Sequence, residues 1–275
     1  MTLYHEQFSA TYDLPEVHQQ EKTLIVASTG RSGSHMLGHA LQTTNHFGFP
    51  LEYTNPSNYK EWAKRLGEFD LKEMIGEIKR KRTSPNGVFG IKIHYSHVNE
   101  MYGGFEGVQT IFPDAYYVLL TRKDVLKQAV SLAIARQTGV WISGQKSRCL
   151  DPQYRFKNID ACLREVILDS AAWRFTLAAN GCKFIEMNFD QVKTDLSKAI
   201  NIIADFMAVD ISDMNFPRQQ VLKRQSGELN IEWEKKYLAE FRESELINTL
   251  PAKDNFSQRY KNKLTKLLER IKTTK

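Results

Sequence analysis

Residues 23–42 read TLIVASTGRSGSHMLGHALQ, and the fold is decided there. Thr23, Leu24, Ile25, Val26 and Ala27 make a short apolar run of buried-strand length. The loop 28–34, STGRSGS, follows at once and is built of turn-forming residues. From residue 35 to 42 the apolar Met36, Leu37, Ala40 and Leu41 recur at helical spacing. The order is strand, glycine-bearing loop, helix.

The unit recurs outward from this point. Residues 88–94 (VFGIKIH), 115–120 (AYYVLL) and 183–187 (KFIEM) read as further strands. Helical patterns cover 57–65, 71–82, 123–136, 160–180 and about 195–207, the fourth stopped by Gly181. Strands separated by helices predict an α/β fold, a P-loop-like parallel sheet with helices on both faces. The polar residues 1–22 read as an N-terminal arm and 23–275 as a single domain. The tail from 231 is charge-rich and helical, with Pro251 breaking it.

Hydrophobic residues at 41% and charged residues at 25% of 275 exclude a mostly disordered chain. No apolar run of about 18 residues suits a membrane span, and the N-terminus has no signal-peptide core, so a cytoplasmic protein is expected. Cys149, Cys162 and Cys182 show no CxxC spacing and read as reduced thiols. The net charge of +6 suits a nucleotide, a nucleic acid or an anionic sugar and selects none of them.

Ligands of open parallel sheets bind beyond the carboxyl ends of the strands, and two such ends carry anion-binding residues. The first is the loop, where Gly30 and Gly33 permit close backbone approach and Ser28, Arg31, Ser32 and Ser34 add donors beside a helix N-terminus. By itself the loop is equally a plain strand-to-helix turn. It is not a Walker A loop, because no lysine stands where the β/γ-phosphate ligand belongs. The second is the end of the 115–120 strand, with Arg122 just beyond it and Lys127 and Ser131 on the following helix. Together the two fit a nucleotide phosphorylated at both ends of its ribose.

Five stretches in order, ASTGRSGSHML (27–37), GFPLEY (48–53), SPNGVFGIKI (84–93), TRKDVLKQAVS through RQTGVW (121–141) and VLKRQSGELNIEW (221–233), resemble the Stf0-type bacterial sulfotransferases. That resemblance implies the sulfotransferase fold and transfer of a sulfuryl group from 3′-phosphoadenosine 5′-phosphosulfate (PAPS) to a carbohydrate or glycoconjugate hydroxyl. The bisphosphate PAP would be the product, and no metal would be needed. It implies that Arg31, Ser32, Gly33, Ser34 and His35 cradle the phosphosulfate, with Arg31 stabilising developing charge. Arg122 and Ser131 would hold the 3′-phosphate, and Arg224, Gln225 and Ser226 would close over the nucleotide. Glu52 falls at the position of the family's general base, which a weakly nucleophilic hydroxyl requires. The resemblance also suggests a homodimer.

Lys92, in an apolar strand, either neutralises the donor or forms a structural ion pair. His94 and His97 rank below Glu52 as bases. Trp141 and Trp233, inside the shared motifs, are the aromatic candidates for stacking, whereas Trp62 and Trp173 read as packing residues. Two departures bear on the acceptor: Phe49 and Leu51 are apolar where the trehalose-sulfating members are more polar, and Thr29-Gly30 replaces a single residue. The polar segment 142–158 is assigned to the acceptor wall or a subunit contact. The competing function is a P-loop-type nucleotide kinase or hydrolase lacking the Walker lysine. A nucleic-acid partner is disfavoured, since basic residues are interspersed with acids apart from KRKR at 79–82.

Overall fold

The structure is a computed structural model and describes residues 7–16, 22–142, 145–214 and 227–243. Its backbone divides into two compact units, Met1–Ile231 and Glu232–Lys275. The first carries four parallel strands in the order β2-β1-β3-β4: β1 Lys22–Ser28, β2 Val88–His94, β3 Tyr116–Thr121 and β4 Lys183–Asn188. All four fall on the apolar runs that predicted them.

Between β1 and β2 lie α1 Ser34–Thr43, α2 Pro56–Leu66 and α3 Leu71–Arg82. Asn55 accepts from the Asn58 amide with Pro56 at the first helical position, which starts α2. Asp70 and Glu73 form a capping box at the start of α3. Between β2 and β3 come the short α4 Val98–Tyr102 and α5 Phe105–Ile111, too brief for the helical period to betray. Then α6 Val125–Thr138 precedes α7 Phe156–Ala179, and α8 Phe189–Thr194 and α9 Leu196–Met207 follow β4. The sequence had α6 starting at 123. Instead the Asp124 side chain caps it by accepting from the Lys127 amide, and left-handed Gly139 ends it.

Strand alternation sorts side chains onto two faces. Leu24, Val26, Val118 and Leu120 pack with Met36, Leu37 and Leu41 of α1 and Ile200, Ile203 and Met207 of α9. Ile25, Ala27, Ile91, Ile93, Tyr117 and Leu119 pack on the other face with α3, α4 and Trp173 of α7. Both faces are thus covered, as a parallel sheet requires. The described part of the N-terminal arm is knitted to this body. The Leu14 amide donates to the Lys81 carbonyl at 2.9 Å, and the Arg82 guanidinium donates to the carbonyls of Gln7 and Ser9.

Helix α10 spans Glu228–Glu243, starting just ahead of the predicted tail helix. Within the second unit Lys236 pairs with Glu232 at 2.6 Å and Tyr237 stacks on Phe241. Pro251 lies outside the described residues.

Candidate active site

Ser28 ends β1, and its carbonyl accepts from Trp173 Nε1 at 3.0 Å. The loop beyond it uses two left-handed residues, Arg31 at φ +62° and Gly33 at φ +90°. A Cβ on Gly33 would sit 2.1 Å from the Phe189 ring, so glycine is required there on both grounds. Gly33 caps α1 with no side-chain acceptor, so no cap covers the Ser34 and His35 amides, where an anion can bind, while the Met36 amide donates to the Gly33 carbonyl at 3.0 Å. Gln128, reaching up from α6, donates to Thr29 Oγ1 at 2.8 Å and the Gly30 carbonyl at 2.7 Å, fixing the loop. Ser32 Oγ is buried with no hydrogen-bond partner, an arrangement costing about 1–3 kcal/mol unless a ligand satisfies it. These residues fit a bound phosphate or sulfate group.

Beside the loop, Arg31 Nε donates to Ser131 Oγ at 3.0 Å and its Nη1 to the Trp141 carbonyl at 2.5 Å. Arg122 Nη1 donates to the Arg31 carbonyl at 3.3 Å, and its guanidinium lies 5.4 Å from the Phe189 ring centroid. Burial, and then the neighbouring Arg122 charge, lower the Arg31 pKa to about 10. Cations held this close suit a polyanion. The side chain of Arg31 therefore joins Arg122 and Ser131.

The other corner is organised by Glu52. Phe49, Leu51 and Tyr53 alternate into the core at 1–2% exposure, while Glu52 between them lines the cavity. This corrects the acceptor-side expectation for Phe49 and Leu51. Leu51 bridges to Ile91, and its carbonyl accepts from the Lys92 amide, so its apolar character serves packing. Three groups surround the Glu52 carboxylate: Lys92 Nζ at 3.2 Å, His94 Nε2 at 3.3 Å and His97 Nδ1 at 3.0 Å. Asn58 of α2 donates to the Glu52 carbonyl. Burial pushes the carboxyl upward, but the neighbouring His94 and Lys92, with His97 close by, outweigh it and hold Glu52 well below the usual carboxylate range.

Beneath this corner His94 Nδ1 meets Ser28 Oγ at 3.0 Å, and His35 Nε2 meets His39 Nε2 at 3.0 Å. Burial, and then the Lys92 charge, push His39 down to about 4 and His35 well below its ordinary value. Both stay neutral at pH 7.

One cavity of about 1770 Å³ joins the two corners. Pockets that hold a single small ligand run to about 300–1,000 Å³, so there is room for a nucleotide and a second substrate. Gly30, Arg31, Gly33, Ser34, His35, Arg122, Lys127 and Ser131 line one part; Glu52, Lys92, His94 and His97 line another. Trp141, at 42% exposure, and Gln145, Lys146 and Arg148 of the 142–158 segment add a further wall. Trp62 and Trp173 are buried at 0% as packing residues, the latter also anchoring Ser28. Trp233 lies on α10, in the second unit, and Arg224, Gln225 and Ser226 lie outside the described residues.

The sequence reading missed Gln128 and Phe189. Gln128 lies on the same helix as Ser131 but reaches the loop across 99 residues of sequence, and no local pattern marks it. Nor does one mark Phe189.

The sequence profile of the Stf0 sulphotransferase family matches residues 23–240. The chain belongs to the Stf0 sulfotransferase family. It is 25% identical over 255 residues to a trehalose 2-sulfotransferase of Mycobacterium tuberculosis (strain ATCC 35801 / TMC 107 / Erdman), covering 78% of this chain and 94% of that protein. Among solved structures, a sulfotransferase from Alicyclobacillus acidocaldarius matches with a TM-score of 0.46 at 12% identity, over 80% of this chain and 92% of the other. The mouse sulfotransferase SULT7A1 complexed with PAP matches with a TM-score of 0.43 at 15% identity, over 86% and 87%. This Stf0 protein is thus a sulfotransferase. Among its described residues, no helix is long and apolar enough to cross a membrane, and no cluster of three or more His, Cys, Asp or Glu is arranged to hold a metal ion.

Proposed function

We propose that the protein transfers the sulfuryl group of PAPS to a carbohydrate hydroxyl, with Glu52 as general base. The observation that carries this reading is the single cavity joining the Arg31–Arg122–Ser131 cluster, the glycine loop and the Glu52 carboxylate. The loop and α1 N-terminus would hold the 5′-phosphosulfate; Arg122, Ser131 and Arg31 would hold the 3′-phosphate. Arg224, Gln225 and Ser226, which lie outside the described residues, are proposed for the nucleotide on family resemblance. The acceptor hydroxyl loses its proton to Glu52 as its oxygen bonds to sulfur. The bond from sulfur to the bridging phosphate oxygen breaks, and its electron pair leaves on PAP. Glu52 is ionised at neutral pH, as a proton acceptor must be. Loop donors aimed at the departing oxygen stabilise the charge formed there.

A sugar acceptor is supported by the trehalose-sulfating relative, and the polar wall of Trp141, Gln145, Lys146 and Arg148 suits one. The test is calorimetric titration with PAP against ATP with and without magnesium, followed by labelled PAPS over a carbohydrate panel. Tight metal-independent PAP binding and label transfer to a sugar are expected. Magnesium-dependent ATP binding without PAP binding would overturn the reading in favour of a kinase or hydrolase.

A further inference from the structure

Strand register explains why a lysine stands in an otherwise apolar strand. Lys92 pairs with Val26, and His94 pairs with Ser28. Paired residues of parallel strands share a face, and Val26 packs on the α1 side of the sheet. Lys92 and His94, two residues apart, therefore both rise on that side, where Glu52 meets them. At 5% exposure Lys92 is buried, yet it lines the cavity together with Gly33, Ser34 and His35 at the loop. Its charge acts on His35 and His39 of α1 as well as on Glu52. The loop itself carries no lysine, and the side chain of its arginine is bonded to Ser131 and to the Trp141 carbonyl.

We propose that Lys92 is shared between the two substrates' halves of the site, so that the 5′ anion of the donor and the Glu52 carboxylate compete for it. Without donor, Lys92 is the counter-ion of Glu52, and the carboxylate is a weak base. A phosphosulfate arriving at the loop draws the ammonium toward itself. Glu52 then loses part of its counter-charge and becomes a stronger base, with the donor already in place. The device couples basicity to donor occupancy and leaves Glu52 quiescent in the empty enzyme. It rests on the donor reading above.

Linkage makes the coupling reciprocal, so the charge on Glu52 must weaken donor binding. The test is a double-mutant cycle read by calorimetry with PAP, needing no turnover. Glu52→Gln should bind PAP more tightly than wild type by roughly 5- to 150-fold, the usual span of such couplings. Adenosine 3′-phosphate, lacking the 5′ anion, should bind both proteins equally. In a Lys92→Met background PAP binding should weaken, and the gain from Glu52→Gln should vanish; Lys92→Arg should preserve it. An unchanged PAP affinity in Glu52→Gln overturns the proposal, even if Lys92→Met does not fold. So does an equal gain with and without Lys92, which would mean direct repulsion between Glu52 and the anion. Failure of wild type to bind PAP at all would instead overturn the donor reading itself.

Discussion

The two corners of the cavity are built in opposite ways. The donor corner is local: residues 28–35 are consecutive, and Gln128 and Ser131 come from one face of α6. Its donors are backbone amides, hydroxyls and guanidinium groups, all of which keep their protonation state at pH 7. The base corner is assembled from distant segments, Glu52 before α2, Lys92 and His94 on β2, and His97 just after it. Its members are ionisable side chains: His94 and Lys92 lower Glu52, and burial, against the pull of Glu52, lowers His94. A binding site for a permanent anion benefits from fixed charges, whereas a proton-transfer site needs charges that can change. The contrast therefore follows the chemistry proposed for each corner.

The largest expected break in that contrast is Glu52→Gln. Turnover of labelled PAPS onto a sugar should fall by roughly 10²–10⁴-fold, the usual span for a general base. Retention within a few-fold would move the base elsewhere, with His97 the next candidate by position.

Arg122→Ala strikes the other corner. Hydrogen bonds to charged groups contribute about 1.5–3 kcal/mol, so PAP affinity should fall by roughly 10- to 150-fold. Binding of adenosine 5′-phosphosulfate, which lacks the 3′-phosphate, should barely change. Equal losses for both ligands would show that Arg122 only braces the loop through the Arg31 carbonyl.

Gly33→Ala sharpens how far the donor corner depends on backbone. The added methyl enters the Phe189 ring and forces a left-handed φ on alanine, so unfolding stability should drop by about 1–3 kcal/mol in a denaturant titration. Removing the ring as well, by Phe189→Ala, should recover the clash but not the φ strain. Full recovery would mean the backbone at Gly33 is less constrained than its φ implies.

The same contrast governs what could be read from sequence. The apolar runs located all four strands, and STGRSGS marked the strand-to-helix loop between β1 and α1, because these signals are local. Glu52 was visible only through resemblance, since nothing in GFPLEY says which residue alternates outward. Phe49 and Leu51 were misassigned for that reason: burial of alternate positions is a property of the bridge to Ile91, not of the hexapeptide. The partnership of Lys92, His94 and Ser28 depends on the register between β1 and β2, which no spacing within one strand encodes. Gln128 and Phe189 act on the loop across about 100 residues or more, and an isolated glutamine or phenylalanine has no pattern to reveal it.

The smallest expected effect tests whether the base corner ends at His97. Asp169 of α7 has its pKa raised to about 6 by burial and by Glu165, against the opposing pull of His97 and Arg136. Its ordinary value is 3.8, so between about pH 4 and 6 the native state binds more protons than the unfolded one. Stability therefore falls as pH rises through that window, and the loss is complete at neutral pH. Asp169→Asn should raise the melting temperature at pH 7, with the gain shrinking to nothing below about pH 4. If Asp169 is only a half-buried carboxylate, the pH profile of turnover stays put. If the acid limb of that profile moves with the substitution, proton traffic runs from Glu52 through His97 to α7, and the titrating corner is larger than the carboxylate's own contacts.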